Sequence, residues 1–183
     1  MTTILVGVAI VGFVAQFRDF SSVYASLMTP WGGAMVAAAV LILKILHEVG
    51  HCVACHAYGG RVRNCGILFI FGAPLPFVDV SDSRRFPSRV ARIFVALAGV
   101  TTECVVTAIA VIATLLVQSP VAYYVAAHLV LSFAFTTLLF NLNPLMKYDG
   151  YYVLVELLCV ENLYLRGADY IRYLGRRLCF GQQ

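Results

Sequence analysis

Apolar residues run through this chain in long blocks, with most of the charged positions gathered between them. Four blocks stand out, at residues 3–17, 31–58, 90–117 and 121–160. A helix that crosses a bilayer needs about 20 mostly apolar residues, so the second and third blocks predict single passes and the first, though short, a further one. The fourth is long enough for two passes or for one interrupted helix. Its polar, proline-containing stretch FNLNPLMKYDG at residues 140–150 favours the interruption, because Pro144 removes a helical hydrogen bond and Gly150 permits unusual backbone angles. Residues 65–80, CGILFIFGAPLPFVDV, carry β-branched and aromatic side chains broken by Gly72, Pro74 and Pro76. That composition suits a β-hairpin or re-entrant loop better than a spanning helix. The predicted fold is an all-α polytopic membrane protein with about four transmembrane segments and a short re-entrant or β-hairpin loop between the second and third. It forms a single domain over residues 1–183, with a core at about 30–160 and a basic cytoplasmic tail at 161–183.

Composition agrees with this pattern. With 61% hydrophobic residues, 12% charged residues and a mean hydropathy of +0.87, the chain is excluded from the class of ordinary soluble domains. No positively charged start precedes the first block, and Arg18 and Asp19 follow it where a signal-peptide cleavage site would need small residues; the block is therefore expected to be retained. Arg61, Arg63, Arg84, Arg85, Arg89 and Arg92 flank the second connection, and Arg166, Arg172, Arg176 and Arg177 lie in the tail. Because basic residues gather on the cytoplasmic side, both termini are expected there, with only Arg18 opposite. The net charge of +4 is then accounted for by the anionic inner leaflet, and the lipid bilayer, not nucleic acid, is the expected partner. The six cysteines form no recognisable disulfide framework.

Candidate chemistry begins with HEVGH at residues 47–51, inside the second block. At about 100° per residue, His51 lies about 40° around the helix from His47 and Glu48 about 100° around, so the three share one side. Two imidazoles one turn apart can bind a single zinc ion, with Glu48 beside the metal as a base toward water. The motif is short, but ionisable residues at the centre of a membrane helix cost about 2.5–3.5 kcal/mol each on insertion scales, which weighs against a chance cluster. Two histidines are half a tetrahedral site. The remaining protein ligand has six candidates: Asp149, His128, His56, Glu103, Cys52 and Cys55. Asp149 stands in the interrupted stretch, and non-helical backbone at membrane depth is tolerated only against protein or a watery cavity. Lys44 and Glu103 lie deep in predicted spans, where they are expected to pair with each other or face the cavity. Lys147 is a candidate substrate contact, and Tyr148, Tyr151 and Tyr152 suit an interfacial aromatic belt.

These two motifs resemble the site-2 protease family of intramembrane zinc metalloproteases, in which an H-E-x-x-H helix is joined by a later F-N-x-x-P-x-x-x-x-D-G segment. Phe140, Asn141, Pro144, Asp149 and Gly150 match that segment in order and spacing. The strings YGGRVR at 58–63, PFVDVSD at 76–82, RFPSR at 85–89 and NLNPLMKYDGYY at 141–152 look similar to the bacterial peptide zinc metalloprotease-like branch. The resemblance implies Zn2+ held by His47, His51 and Asp149, Glu48 as catalytic base, and Asn141 as support for the substrate backbone or the oxyanion. It implies a membrane-embedded or membrane-associated protein or peptide as substrate, a bacterial inner membrane as location, and accessory membrane or export proteins as possible partners. Met146 stands where many family members have a second proline, and no PDZ insertion precedes the Asp149 helix. A non-hydrolytic zinc-binding module, serving as escort or docking partner in peptide export, is the alternative expectation. A zinc transporter would need acidic and histidine residues along several helices, and only one compact set is present.

Overall fold

A computed structural model of the chain describes Ala25 and residues 28–70, 72–117, 119–160 and 162–180. The first predicted segment, residues 3–17, and Arg18 lie outside the described residues.

Helix α1 spans Pro30–Ala57. It opens where Thr29 Oγ1 accepts a hydrogen bond from the Gly32 N–H at 3.0 Å, with Pro30 at the first helical position, two devices that satisfy or dispense with orphan amide donors. It stops at Tyr58, followed by Gly59 in the left-handed region at φ 82°. The expected hairpin comes next: β1 (Cys65–Ile70) pairs antiparallel with β2 (Ala73–Val78), from Cys65 opposite Val78 to Ile70 opposite Ala73. A two-residue connection of this kind needs positive φ, and Gly72 supplies it at 82°. A 3-10 turn at Ser81–Arg85 leads into α2, Arg89–Val117.

The fourth block is interrupted, as its polar stretch predicts. Helix α3 (Pro120–Phe133) widens into a π-helical segment at Ala134–Asn141, the backbone leaves helical geometry over residues 142–148, and α4 resumes at Asp149–Leu158. Gly150 is required at this junction, since a Cβ there would overlap the backbone of Leu142. The stretch read as a tail holds a further helix, α5, at Leu163–Phe180.

Helices α1, α2 and α3 pack against one another, β2 lies on α1, and α4 lies on α2. Three helical stretches, Pro30–Ala57, Arg89–Thr114 and Val121–Asn141, are long and apolar enough to cross a membrane. Side-chain distribution fits that medium. On α1, Leu43, His47, His51 and Cys55 recur at a spacing of four and are buried, while Ile42, Ile45, Val49 and Val53 are exposed. Glu103, His128, Ser132 and Thr137 are buried, and large apolar residues cover the outside. A water-soluble fold places these classes the other way round. Small residues bring α1 and α2 close, as in membrane bundles generally: a Cβ at Gly50 would overlap Thr102 and the Ala98 carbonyl.

Candidate metal centre

The spacing of four that puts His47 and His51 on the buried face of α1 also aims both rings at one point. His47 Nε2 and His51 Nε2 are 3.0 Å apart. The interruption after the π-helical segment starts α4 at Asp149, and this delivers the carboxylate to the same place: Asp149 Oδ2 lies 2.9 Å from His47 Nε2 and 3.3 Å from His51 Nε2. These three residues form a group able to hold a metal ion. The donor chemistry and spacing suit a small divalent cation. Ligand bonds of about 2.0–2.1 Å in a tetrahedral site imply donor atoms roughly 3.3 Å apart, close to the separations here.

The outward nitrogens of both rings are occupied. His51 Nδ1 donates to the Val95 carbonyl at 2.8 Å, and His47 Nδ1 lies 3.0 Å from Glu103 Oε1. Each contact holds a ring so that its Nε2 faces the donor cluster, the arrangement usual for metal-binding histidines. Helix α2 supplies both partners and makes room for them: a Cβ at Gly99 would collide with the His47 ring. Neither Gly99 nor the Val95 carbonyl was indicated by the sequence, since a glycine and a backbone oxygen in an apolar helix carry no polar pattern. Thr137, whose hydroxyl donates to Glu103, was not indicated either, because a threonine in a helix can satisfy its hydroxyl on its own backbone and so marks no site.

Glu48 ligates nothing in the cluster. It lines a cleft of about 420 Å³ together with His51, Asp149 and, from the end of β2, Phe77 and Val78. The hairpin therefore forms one wall of the cleft, through Phe77 and Val78. Lys147 also lines the cleft, with its ammonium 4.5 Å from the centre of the Tyr164 ring. Charged Arg84, Arg92 and Glu156 also line the cleft, so it is polar enough to hold water. At its rim, Asp79 accepts hydrogen bonds from the Ser81 side chain and backbone, which hold its carboxyl below the usual carboxylate range.

Asn141 is brought to the centre by the end of the π-helical segment, with its amide nitrogen 3.3 and 3.4 Å from the two ring nitrogens of His47. The other candidates for a metal ligand go elsewhere. His128 Nδ1 donates to the Tyr124 carbonyl at 2.6 Å within its own helix, Cys55 packs beneath Gly60, and His56 is exposed. Glu103 pairs with Lys44 at 2.9 Å, as expected of two charges deep in spans.

Comparison with family models, curated proteins and solved structures gives no match.

Proposed function

We propose that this chain is an intramembrane zinc endopeptidase of the site-2 protease type, acting on membrane-embedded or membrane-associated proteins or peptides. One observation carries the reading: His47, His51 and Asp149 converge, and Glu48 stands unligated in the cleft beside them. A site that only stored metal would not need a base there. Zinc, when bound, supplies a Lewis acid for the scissile carbonyl and brings the pKa of water to about 7.

The chain's own residues do the rest. Glu48 takes a proton from the attacking water and passes it to the leaving amine. His47 and His51 are buried where the helices pack, and the charged lining of the cleft admits water. The β2 strand gives an unwound peptide a wall of extended backbone, because a bond inside a helix is shielded and an added strand is held open by main-chain contacts. Lys147 faces the cleft as a contact for substrate carbonyls, and Asn141 supports the substrate backbone or oxyanion from beside His47. The centre lies in the second half of α1, near the connection that holds Arg61, Arg63, Arg84 and Arg85. With those arginines at the inner leaflet, the cleft opens toward the cytoplasm, both termini are cytoplasmic, and the membrane is a bacterial inner membrane where export proteins could serve as accessories.

The decisive experiment compares wild type with Glu48→Gln in liposomes carrying a panel of single-span reporter proteins. Wild type should cleave at least one reporter. The variant should keep its metal content and lose cleavage by a factor on the order of 10²–10⁴, the range for general acid–base catalysis. Full cleavage by Glu48→Gln removes this mechanism. Metal-loaded wild type that binds the reporters and cuts none points instead to the non-hydrolytic escort.

A further inference from the structure

Glu103 is fully buried in the middle of α2. A carboxylate taken out of water is strongly unfavourable unless several donors reach it, and three do. Lys44 Nζ lies 2.9 Å and His47 Nδ1 3.0 Å from the same oxygen, Oε1, while the Thr137 hydroxyl donates to Oε2. Lys44 and His47 are one turn apart on α1, and Thr137 lies in the π-helical segment. One side chain thus ties together the helix that carries both histidines and the segment that leads to Asn141 and Asp149.

Two explanations compete. Glu103 could be a staple between helices, its charge balanced by Lys44, with the His47 contact incidental. The contact is not placed as an incidental one would be. It meets the ring nitrogen opposite the one that joins His51 and Asp149, and the ring has little freedom to choose otherwise, because Gly99 and Asn141 confine it. The other histidine is held by a neutral backbone carbonyl. A carboxylate in that role fixes the tautomer and makes the opposite nitrogen a stronger donor.

We propose that Glu103 is a positioning residue for the metal centre, holding the Nδ1–H of His47 so that its Nε2 lone pair is fixed on the ion, with Lys44 and Thr137 keeping the carboxylate in place. This rests on the reading of His47, His51 and Asp149 as a metal centre and adds to it a residue outside both sequence motifs.

The test uses the full chain in detergent micelles, with Glu103→Ala, Glu103→Gln and Glu103→Asp beside wild type. Zinc affinity is read by competition with a chromophoric chelator, ligand geometry by the visible absorption of the Co2+-loaded protein, and helix packing by thermal unfolding of the metal-free form. Glu103→Ala should weaken zinc binding 10- to 100-fold, the usual effect of removing such a partner. Glu103→Gln, which keeps the shape, should shift the Co2+ bands, and Glu103→Asp should restore part of the affinity. If Glu103→Ala does not fold, the isosteric glutamine variant carries the test alone. Unchanged zinc affinity and Co2+ bands, with only thermal stability lowered, would overturn the proposal and leave a helix staple. A wild-type chain that binds no metal would overturn the metal-centre reading itself, a result distinct from the first.

Discussion

At the scale of single residues, the centre depends as much on what is missing as on what is present. The His47 ring occupies the space a side chain at position 99 would fill. Gly99→Ala should therefore push the ring away from His51 and Asp149, since α2 is held against α1 at Gly50 and cannot easily retreat. Overpacking of this kind costs about 1–3 kcal/mol. The expected outcome is at least a tenfold loss of zinc affinity with the helical content of wild type, checked by chelator competition and circular dichroism. Wild-type affinity in Gly99→Ala would mean that the ring has another place to go. The contrast with HEVGH shows which residues a sequence displays. Two histidines and a glutamate in an apolar block are conspicuous because charge and polarity are costly there, and their shared face comes from helical periodicity. Gly99 has no such mark, and the pairing of Glu103 with His47 joins positions that no local spacing relates.

At the scale of elements, the hairpin and the break after α3 were legible and the π-helical segment was not. Gly72, Pro74 and Pro76 disrupt any helix through residues 65–80, and Pro144 with Gly150 does the same near Asp149, so composition alone placed both features. The widened turn at Ala134–Asn141 uses ordinary helix-compatible residues. The Leu142 N–H closes its last turn on the Thr137 carbonyl five residues back, at 2.8 Å, and the Thr137 hydroxyl is held by Glu103 of α2, a contact that no local pattern displays. Helix α5 lies in the stretch expected only as a basic tail: its arginines mark a charged surface, and freedom from proline permits a helix without requiring one. A π-helical turn is in effect one residue inserted into an α-helix, and such insertions are frequent at functional sites. Deleting exposed Phe135 should relax the segment toward α-helix and rotate the chain beyond it by about 100°. Asn141 and Asp149 would then miss the histidines. The shortened chain should still be recovered in the membrane fraction while its zinc content falls to background, as measured by atomic absorption. Retained stoichiometric zinc would show that the wide turn does not set the position of Asp149.

At the scale of the whole molecule, the donor cluster closes a loop that the apolar packing leaves open. Helices α1, α2 and α3 have broad contacts with each other, but α4 is joined to the bundle chiefly through α2, and Asp149 is its first residue. Three donors of partial negative charge also converge within a few ångströms, an arrangement that favours a bound cation over the metal-free state. Metal binding should therefore stabilise the complete fold, not the cleft alone. A ligand that binds only the folded state adds RT ln(1 + [L]/Kd), about 4 kcal/mol at a thousandfold excess over Kd. For a chain of this size each kcal/mol shifts Tm by roughly 2–4 °C, so removal of metal with a chelator should lower Tm by on the order of 10 °C, and added zinc should restore it. Asp149→Ala should show little change between metal-free and zinc-treated samples, because it lacks the ligand that joins α4 to α1. Glu48→Gln should show the wild-type difference, because Glu48 faces the cleft and ligates nothing in the cluster. Thermal unfolding in one detergent, with and without chelator, measures all of these together. A zinc-dependent shift that persists undiminished in Asp149→Ala would mean that zinc stabilises the protein elsewhere, and would separate the interrupted helix from the metal centre.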